Sequence, residues 1–203
     1  MTTGPTSASG HFDELYAAST DPWDTGTSWY EQRKRAIVQA MLPRQHCGVI
    51  FEPGCGSGEL TLQLAARCQT LIASDFCEEA VRITRQKTAH LPHVQVRLQV
   101  LPEQWPVPAQ DVPPFELIVF SELCYYFDAP QMAQMVALAV GGLAPEGHLL
   151  ACHWKKDFDD RLLATRHLHQ LIDAHAHLKR QACYEDEEIL IDLWRKTGTS
   201  YDP

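Results

Sequence analysis

The chain has 203 residues, a formal net charge of −9, 45% apolar residues, and 17 basic residues against 26 acidic ones. That length suits one domain with room for a sizeable core, no apolar run approaches the roughly 18 residues of a membrane span, and an acidic balance without a long basic run argues against a nucleic-acid polymer as substrate. Seven cysteines, odd in number and without a C-x-x-C pair, read as free thiols of a reducing cytoplasm.

Residues 1–10 are small and polar, with no apolar core that would mark an export signal. They read as a disordered lead-in to a single domain over 11–203. Its first part, 11–43, holds three aromatics in eight residues (Trp23, Trp29, Tyr30) and a helix. Ser28 and Glu31 have the spacing of a capping box, Tyr30, Ile37 and Met41 follow at helical spacing, and Pro43 ends the helix.

The remainder, 44–203, alternates strands and helices. Val49 to Glu52 is the first strand, and Leu60, Leu64 and Cys68 mark a helical face. Thr70 to Ser74 is the second strand, followed by a helix with Cys77, Ala80, Val81 and Thr84 on one side. Val94 to Leu98 alternates as a third strand. A proline-rich loop spans Pro102 to Pro114, and Leu117 to Phe120 is a buried fourth strand. Asp128 and Gln131 cap the next helix, and His148 to His153 is strand five. Asp159 to His175 has a helical pattern, and Leu178 to Tyr184 pairs with Ile189 to Trp194 as a hairpin. This order predicts an α/β fold: a doubly wound, largely parallel sheet closed by an antiparallel hairpin.

Function is read from the run Glu52-Pro53-Gly54-Cys55-Gly56-Ser57-Gly58, where a strand enters a glycine turn and a helix. Such a turn lets a ligand touch backbone and presents helix N–H groups to an anion. A dinucleotide site wants G-x-G-x-x-G; here the glycines alternate and Glu52 precedes them. A carboxylate there repels pyrophosphate and suits a ligand with an ammonium or sulfonium group, such as S-adenosylmethionine. Asp75, 17 residues beyond Gly58 at the end of strand two, can accept hydrogen bonds from ribose hydroxyls, and Phe76 can pack on adenine. Cys55 is read as a small residue of the cradle. The turn, Asp75, the loop from Leu101 and Ser121 all fall at carboxyl ends of strands, where ligands bind in such sheets.

These residues resemble the class I S-adenosylmethionine-dependent methyltransferases, and more narrowly the nodulation protein S-like group of small-molecule methyltransferases. Asp21-Pro22-Trp23, Ser28-Trp29-Tyr30-Glu31, the run from Leu101 to Pro106, and Phe120-Ser121-Glu122-Leu123-Cys124-Tyr125-Tyr126 carry the narrower resemblance, which covers about 12–196. It implies a seven-stranded Rossmann-like sheet in the order 3-2-1-4-5-7-6 with an antiparallel C-terminal strand. It also implies that Asp21 to Lys34 forms a lid over the cofactor. Many members of the superfamily hold adenine with an acidic residue after strand three. Here that stretch is Val100-Leu101-Pro102, so Leu101 and Pro102 backbone, or Glu103, are expected instead. The founding members act on an oligosaccharide amine, a substrate that does not carry over by resemblance alone.

The implied reaction is methyl transfer from S-adenosylmethionine to a small polar acceptor, an amine in preference to a hydroxyl, with no metal. Glu122 can hold an acceptor ammonium or take its proton, and Tyr125 and Tyr126 can wall the acceptor, Tyr125 preferred. His153, ending strand five, is a candidate general base, against a structural histidine. Trp23, Trp29 and Tyr30 are expected to close over the cofactor, with Arg33 or Lys34 pairing its carboxylate; Glu31 is read as a cap. His167, His169, His175 and His177 lack a shared helical face and a completing ligand set, and read as a solvated face rather than a metal site. An O-methyltransferase, a catalytically silent cofactor-binding module and a nicotinamide-dependent oxidoreductase are the alternatives.

Overall fold

The computed structural model describes residue 12, residues 14–106 and residues 113–198. The lead-in over 1–10 and the middle of the proline-rich loop lie outside the described residues. Among the described residues, seven strands form one sheet: β1 (Cys47–Pro53), β2 (Cys68–Asp75), β3 (Val94–Leu98), β4 (Phe115–Ser121), β5 (Leu143–Trp154), β6 (Leu178–Glu185) and β7 (Ile189–Lys196). Their order is β3-β2-β1-β4-β5-β7-β6, the order the resemblance implied. The first five strands pair in parallel, while β7 runs antiparallel to both β5 and β6. Among the described residues, α1 (Trp29–Met41) precedes the sheet, and α2 (Glu59–Ala65), α3 (Glu78–Thr88), α4 (Ala129–Gly142) and α5 (Thr165–Asp173) lie between its strands.

Alternation along the strands builds two cores. Phe51, Ile118, Phe120, Leu149 and Ala151 point to the side covered by α4 and α5, through Met132, Met135, Leu168 and Ile172. Their neighbours Ile50, Leu117, Val119, Leu150 and Cys152 face the other side, under Val38 of α1 and Leu60 and Leu64 of α2. A strand buried on both faces reads as a continuous apolar run, as β4 does.

Local signals succeeded or failed according to their competition. Asp128 forms the expected capping box: its carboxylate accepts from Gln131 N–H at 2.8 Å and the Gln131 side chain accepts from Asp128 N–H at 3.1 Å. Ser28 occupies the N-cap of α1 without a side-chain bond. Glu31 instead pairs with Lys34 at 2.6 Å and Arg35 at 3.5 Å, because those buried cations compete for its carboxylate. The helix expected over 159–175 is shorter. Residues before Thr165 form a turn whose Leu162 N–H donates to the Tyr125 carbonyl at 2.8 Å.

β1 lies between β2 and β4, so the connections leave it in opposite directions. The carboxyl ends of β1 and β4 therefore flank the switch point, where loops part and leave a crevice.

Candidate functional site

A cleft of about 610 Å³ opens at that edge, within the usual size of small-molecule sites. Its floor is the glycine turn. Gly54, Gly56 and Gly58 take φ of 71°, 53° and 82°, a region that favours glycine. A Cβ on Gly54 would press Leu123 at 3.1 Å, and one on Gly58 would meet Thr84 Oγ1 at 2.8 Å. Asp75 braces the turn: one carboxylate oxygen accepts from Gly56 N–H and the other from Cys77 N–H, both at 3.0 Å. Each oxygen keeps a lone pair for a ligand. Burial raises the Asp75 carboxyl, and these backbone donors offset part of that rise.

Beside the turn, Glu52 Oε2 and the Tyr16 hydroxyl are among the buried polar atoms without a hydrogen-bond partner. Both residues line the cleft. Burial pushes the Glu52 carboxyl up to about 8; the neighbouring Thr61 hydroxyl offsets little and makes no well-formed bond to it. Unsatisfied buried groups are costly and rare in native structures. One acceptor and one donor facing the same cavity mark it as built for a polar ligand. Tyr16 was not singled out from the sequence because its segment carries no motif; it is held by its ring against Trp23, 5.7 Å between centroids.

The opposite wall is organised by Glu122, a non-glycine residue at φ 52° directly after β4. Its Oε1 accepts from Lys34 Nζ at 2.9 Å and the Tyr30 hydroxyl at 3.1 Å. Oε2 accepts from the Tyr125 hydroxyl at 2.5 Å and Trp154 N–H at 3.0 Å. Burial alone would raise this carboxyl, but Lys34, Tyr125 and Trp154 hold it below its ordinary value. Glu122 is thus a neutralised anchor joining α1, β4 and β5, and a weak base. Burial would lower the Lys34 ammonium, yet Glu122 and Glu31 keep it above its ordinary value. Tyr126, Trp154 and Phe158 add an aromatic side to this wall, and Glu188, brought in by the β6–β7 hairpin, an acidic rim.

Most sequence-selected residues converge here: Trp23, Tyr30, Lys34, Glu52, Gly54, Cys55, Gly56, Asp75, Phe76, Ser121, Glu122 and Tyr125 all line the cleft. Five do not line it. Trp29 is 74% exposed, because it starts α1 on the side away from the sheet. Leu101 packs against the core and Pro102 is buried, so neither reaches the cleft. Gly58 serves as the N-cap of α2 under Thr84. His153 is wholly buried behind the wall: its Nε2 accepts from Cys124 N–H at 3.1 Å and its Nδ1 meets His169 at 3.0 Å. With both nitrogens engaged, the general-base reading of His153 gives way to a structural one. His169, expected on a solvated face, is likewise buried.

The cations also sort differently. Arg33 leaves the cleft for the hairpin, where it bonds the Tyr184 hydroxyl and Asp186. Glu31, read as a cap, and Arg35 line the cleft instead; Arg35 Nε is buried without a partner. Thr25 ties the N-terminal segment to the turn through Ser57 at 2.6 Å, while Arg35 donates to the Thr25 carbonyl at 2.5 Å. Among the described residues no cluster of histidine, cysteine and carboxylate side chains is arranged to hold a metal. No helix among them is long and apolar enough to cross a membrane.

Comparisons with known proteins bear on the fold and the family. A nodulation protein S of Rhizobium tropici is 30% identical over 135 residues, covering 66% of this chain and 55% of its own length. This chain therefore spans little more than half of that relative. A crystal structure of a methyltransferase candidate from Pseudomonas syringae is 40% identical, with a TM-score of 0.73, covering 83% of this chain and all of that one. The N-methyltransferase NodS from Bradyrhizobium japonicum WM9, solved with S-adenosyl-L-homocysteine, superposes with a TM-score of 0.78 at 22% identity, over 93% of this chain and 98% of its own. That likeness supports the fold. The family described as Nodulation protein S (NodS) matches residues 12–158, the stretch that carries most of the cleft lining, and the chain belongs to that family.

Proposed function

We propose that this chain is an S-adenosylmethionine-dependent methyltransferase acting on a small polar acceptor, with an amine preferred. The observation that carries the reading is the pairing of a cradle of left-handed glycines with two carboxylates, Glu52 and Asp75, and, among the described residues, no cation that offsets the burial of Glu52. An ammonium on the ligand supplies the charge that lets Glu52 ionise. Asp75 suits ribose hydroxyls, Phe76 suits adenine, and Trp23 with Tyr30 covers the ligand from the N-terminal segment. Arg35, with its unpartnered Nε, joins Lys34 as the positive charge facing the cofactor carboxylate. This cofactor supplies a methyl group on a sulfonium, ready for in-line displacement.

The chain's own residues then have to align and exclude water. Tyr125 and Tyr126, with Trp154 and Phe158, form the acceptor side. Their rings desolvate an amine and favour its neutral, nucleophilic form. Glu122 keeps Tyr125 and the backbone of Trp154 in place and takes no proton, since four donors already occupy its oxygens. With Glu122 engaged and His153 buried, neither of the bases expected from the sequence is free to take a proton, which favours an amine over a hydroxyl acceptor.

Calorimetry with S-adenosylmethionine and S-adenosylhomocysteine tests the cofactor half; absence of binding by both ends this reading. Labelled-methyl turnover on a panel of primary amines and alcohols tests the acceptor half. Turnover confined to alcohols would reverse the preference stated here.

A further inference from the structure

His153 leaves a question that its burial alone does not answer. The residue sits at the ligand-side end of β5 and at full burial, yet a leucine would fill such a place at lower polar cost. Its ring lies against Tyr125, 5.4 Å between centroids. From it a line of hydrogen bonds leaves the site: Cys124 N–H to His153 Nε2 at 3.1 Å, His153 Nδ1 to His169 Nε2 at 3.0 Å, and His169 Nδ1 to Asp192 Oδ2 at 2.8 Å. Asp192, itself 1% exposed, also receives Arg180 from the neighbouring strand at 3.4 Å.

The two ends of this line determine its protons. A backbone amide can only donate, so His153 Nε2 must present a lone pair. A neutral His153 then carries its hydrogen on Nδ1 and donates to His169 Nε2. His169 in turn carries its hydrogen on Nδ1 and donates to Asp192, an ionised carboxylate that can only accept. Any other tautomer sets N–H against N–H at Cys124 or lone pair against lone pair at one of the other two links. Burial, reinforced by the neighbouring His169, holds the His153 imidazole well below its ordinary value, consistent with a neutral ring.

What the line holds is the start of the short 3-10 turn Cys124–Tyr126, which presents Tyr125 and Tyr126 to the cleft. One residue further back, before the N-cap Leu123, stands Glu122, in the left-handed region that a non-glycine residue enters only when its surroundings compel it. Besides the four donors on the Glu122 carboxylate, three bonds tie the backbone of this segment to its neighbours: Glu122 N–H to the Cys152 carbonyl at 2.9 Å, Cys124 N–H to His153, and Leu162 N–H to the Tyr125 carbonyl. The middle bond uses a side chain, and its direction is set from β7, on the far side of β5.

We propose that His153, His169 and Asp192 form a tautomer-locked relay that positions the Cys124–Tyr126 turn, making all three positioning residues for the acceptor side of the site. The assignment rests on the methyltransferase reading above for its functional consequence, and on the hydrogen-bond directions alone for its chemistry.

Two measurements test it on the full chain. With histidine labelled by 15N and S-adenosylhomocysteine present near neutral pH, two-bond proton–nitrogen correlations should show both His153 and His169 neutral and protonated on Nδ1. A His153 protonated on Nε2, or carrying both protons, overturns the relay. His153→Gln keeps an acceptor for Cys124 N–H, whereas His153→Leu removes it. On the amine turned over fastest in the panel, His153→Leu should lower kcat by about tenfold or more, with affinity for S-adenosylhomocysteine within about twofold, and His153→Gln should recover most of the loss. A leucine variant with unchanged kcat, or a folded glutamine variant no better than leucine, overturns the positioning role. Failure of every amine and every alcohol in the panel would remove the methyltransferase reading, and the nitrogen spectra of the unaltered chain would still decide the relay.

Discussion

The two halves of the cleft are built by different means. The β1–β2 half is made of backbone: a glycine turn in left-handed conformation, braced by one carboxylate a single strand away. The β4–β5 half is made of side chains that α1, β4, β5 and the β6–β7 hairpin contribute, and it converges on one anchor, Glu122. Backbone cradles follow from a few adjacent residues and tolerate little change. A side-chain wall can be re-equipped residue by residue while its anchor stays.

Substitutions can break or sharpen that contrast. The largest effect is expected at the anchor. Glu122→Gln leaves Lys34 buried with Glu31 alone and should destabilise the fold by about 3 kcal/mol, the scale of a broken buried pair. Urea unfolding reads the stability, and turnover should fall more than cofactor affinity. Equal losses in both would show that the halves are not separable.

Asp75→Ala should act on the other half, weakening S-adenosylhomocysteine binding by about 1–3 kcal/mol through lost bonds to a charged group. Calorimetry checks it, and an unchanged constant would take Asp75 out of the ligand contacts. Glu52 gives a pH test. Its carboxyl is pushed up to about 8 in the ligand-free fold, from an ordinary 4.5. The fold therefore retains a proton that the unfolded chain releases, so stability falls as pH rises from the ordinary value toward 8 and levels off above it. Glu52→Gln should remove that fall, raising ligand-free stability at high pH by on the order of 1–3 kcal/mol while weakening cofactor binding. Thermal melts at a series of pH values decide it; parallel curves for both chains would mean Glu52 is ionised in the free protein.

Tyr16→Phe removes the unpartnered hydroxyl and should cost cofactor binding about 1 kcal/mol with little change in stability. Binding as tight as before would leave that hydroxyl without a ligand role. The smallest effect belongs to Trp29→Ala, within about 0.5 kcal/mol for stability, since the ring is 74% exposed. A tenfold loss of cofactor affinity there would show that Trp29 swings into the cleft on binding.

The amino-acid sequence by itself determined the strand–helix alternation, the parallel sheet with its closing hairpin, the glycine turn and Asp75. Each depends on residues close in the chain: apolar runs, glycines at alternate positions, an acid at a strand end. Glu122 and Tyr125 were legible as residues of the cleft for the same reason, since they closely follow a buried strand. What each does was decided only by tertiary structure. Lys34, 88 positions earlier, turns Glu122 from a candidate base into an anchor, and Asp192, 39 positions later, gives His153 its partners through His169. Trp29 carries as apolar a side chain as Trp23, yet helix phase sends one to solvent and folding brings the other over the cleft. Charge, tautomer and burial are properties of the groups that surround a side chain, and in this sheet those groups arrive from strands far apart in sequence.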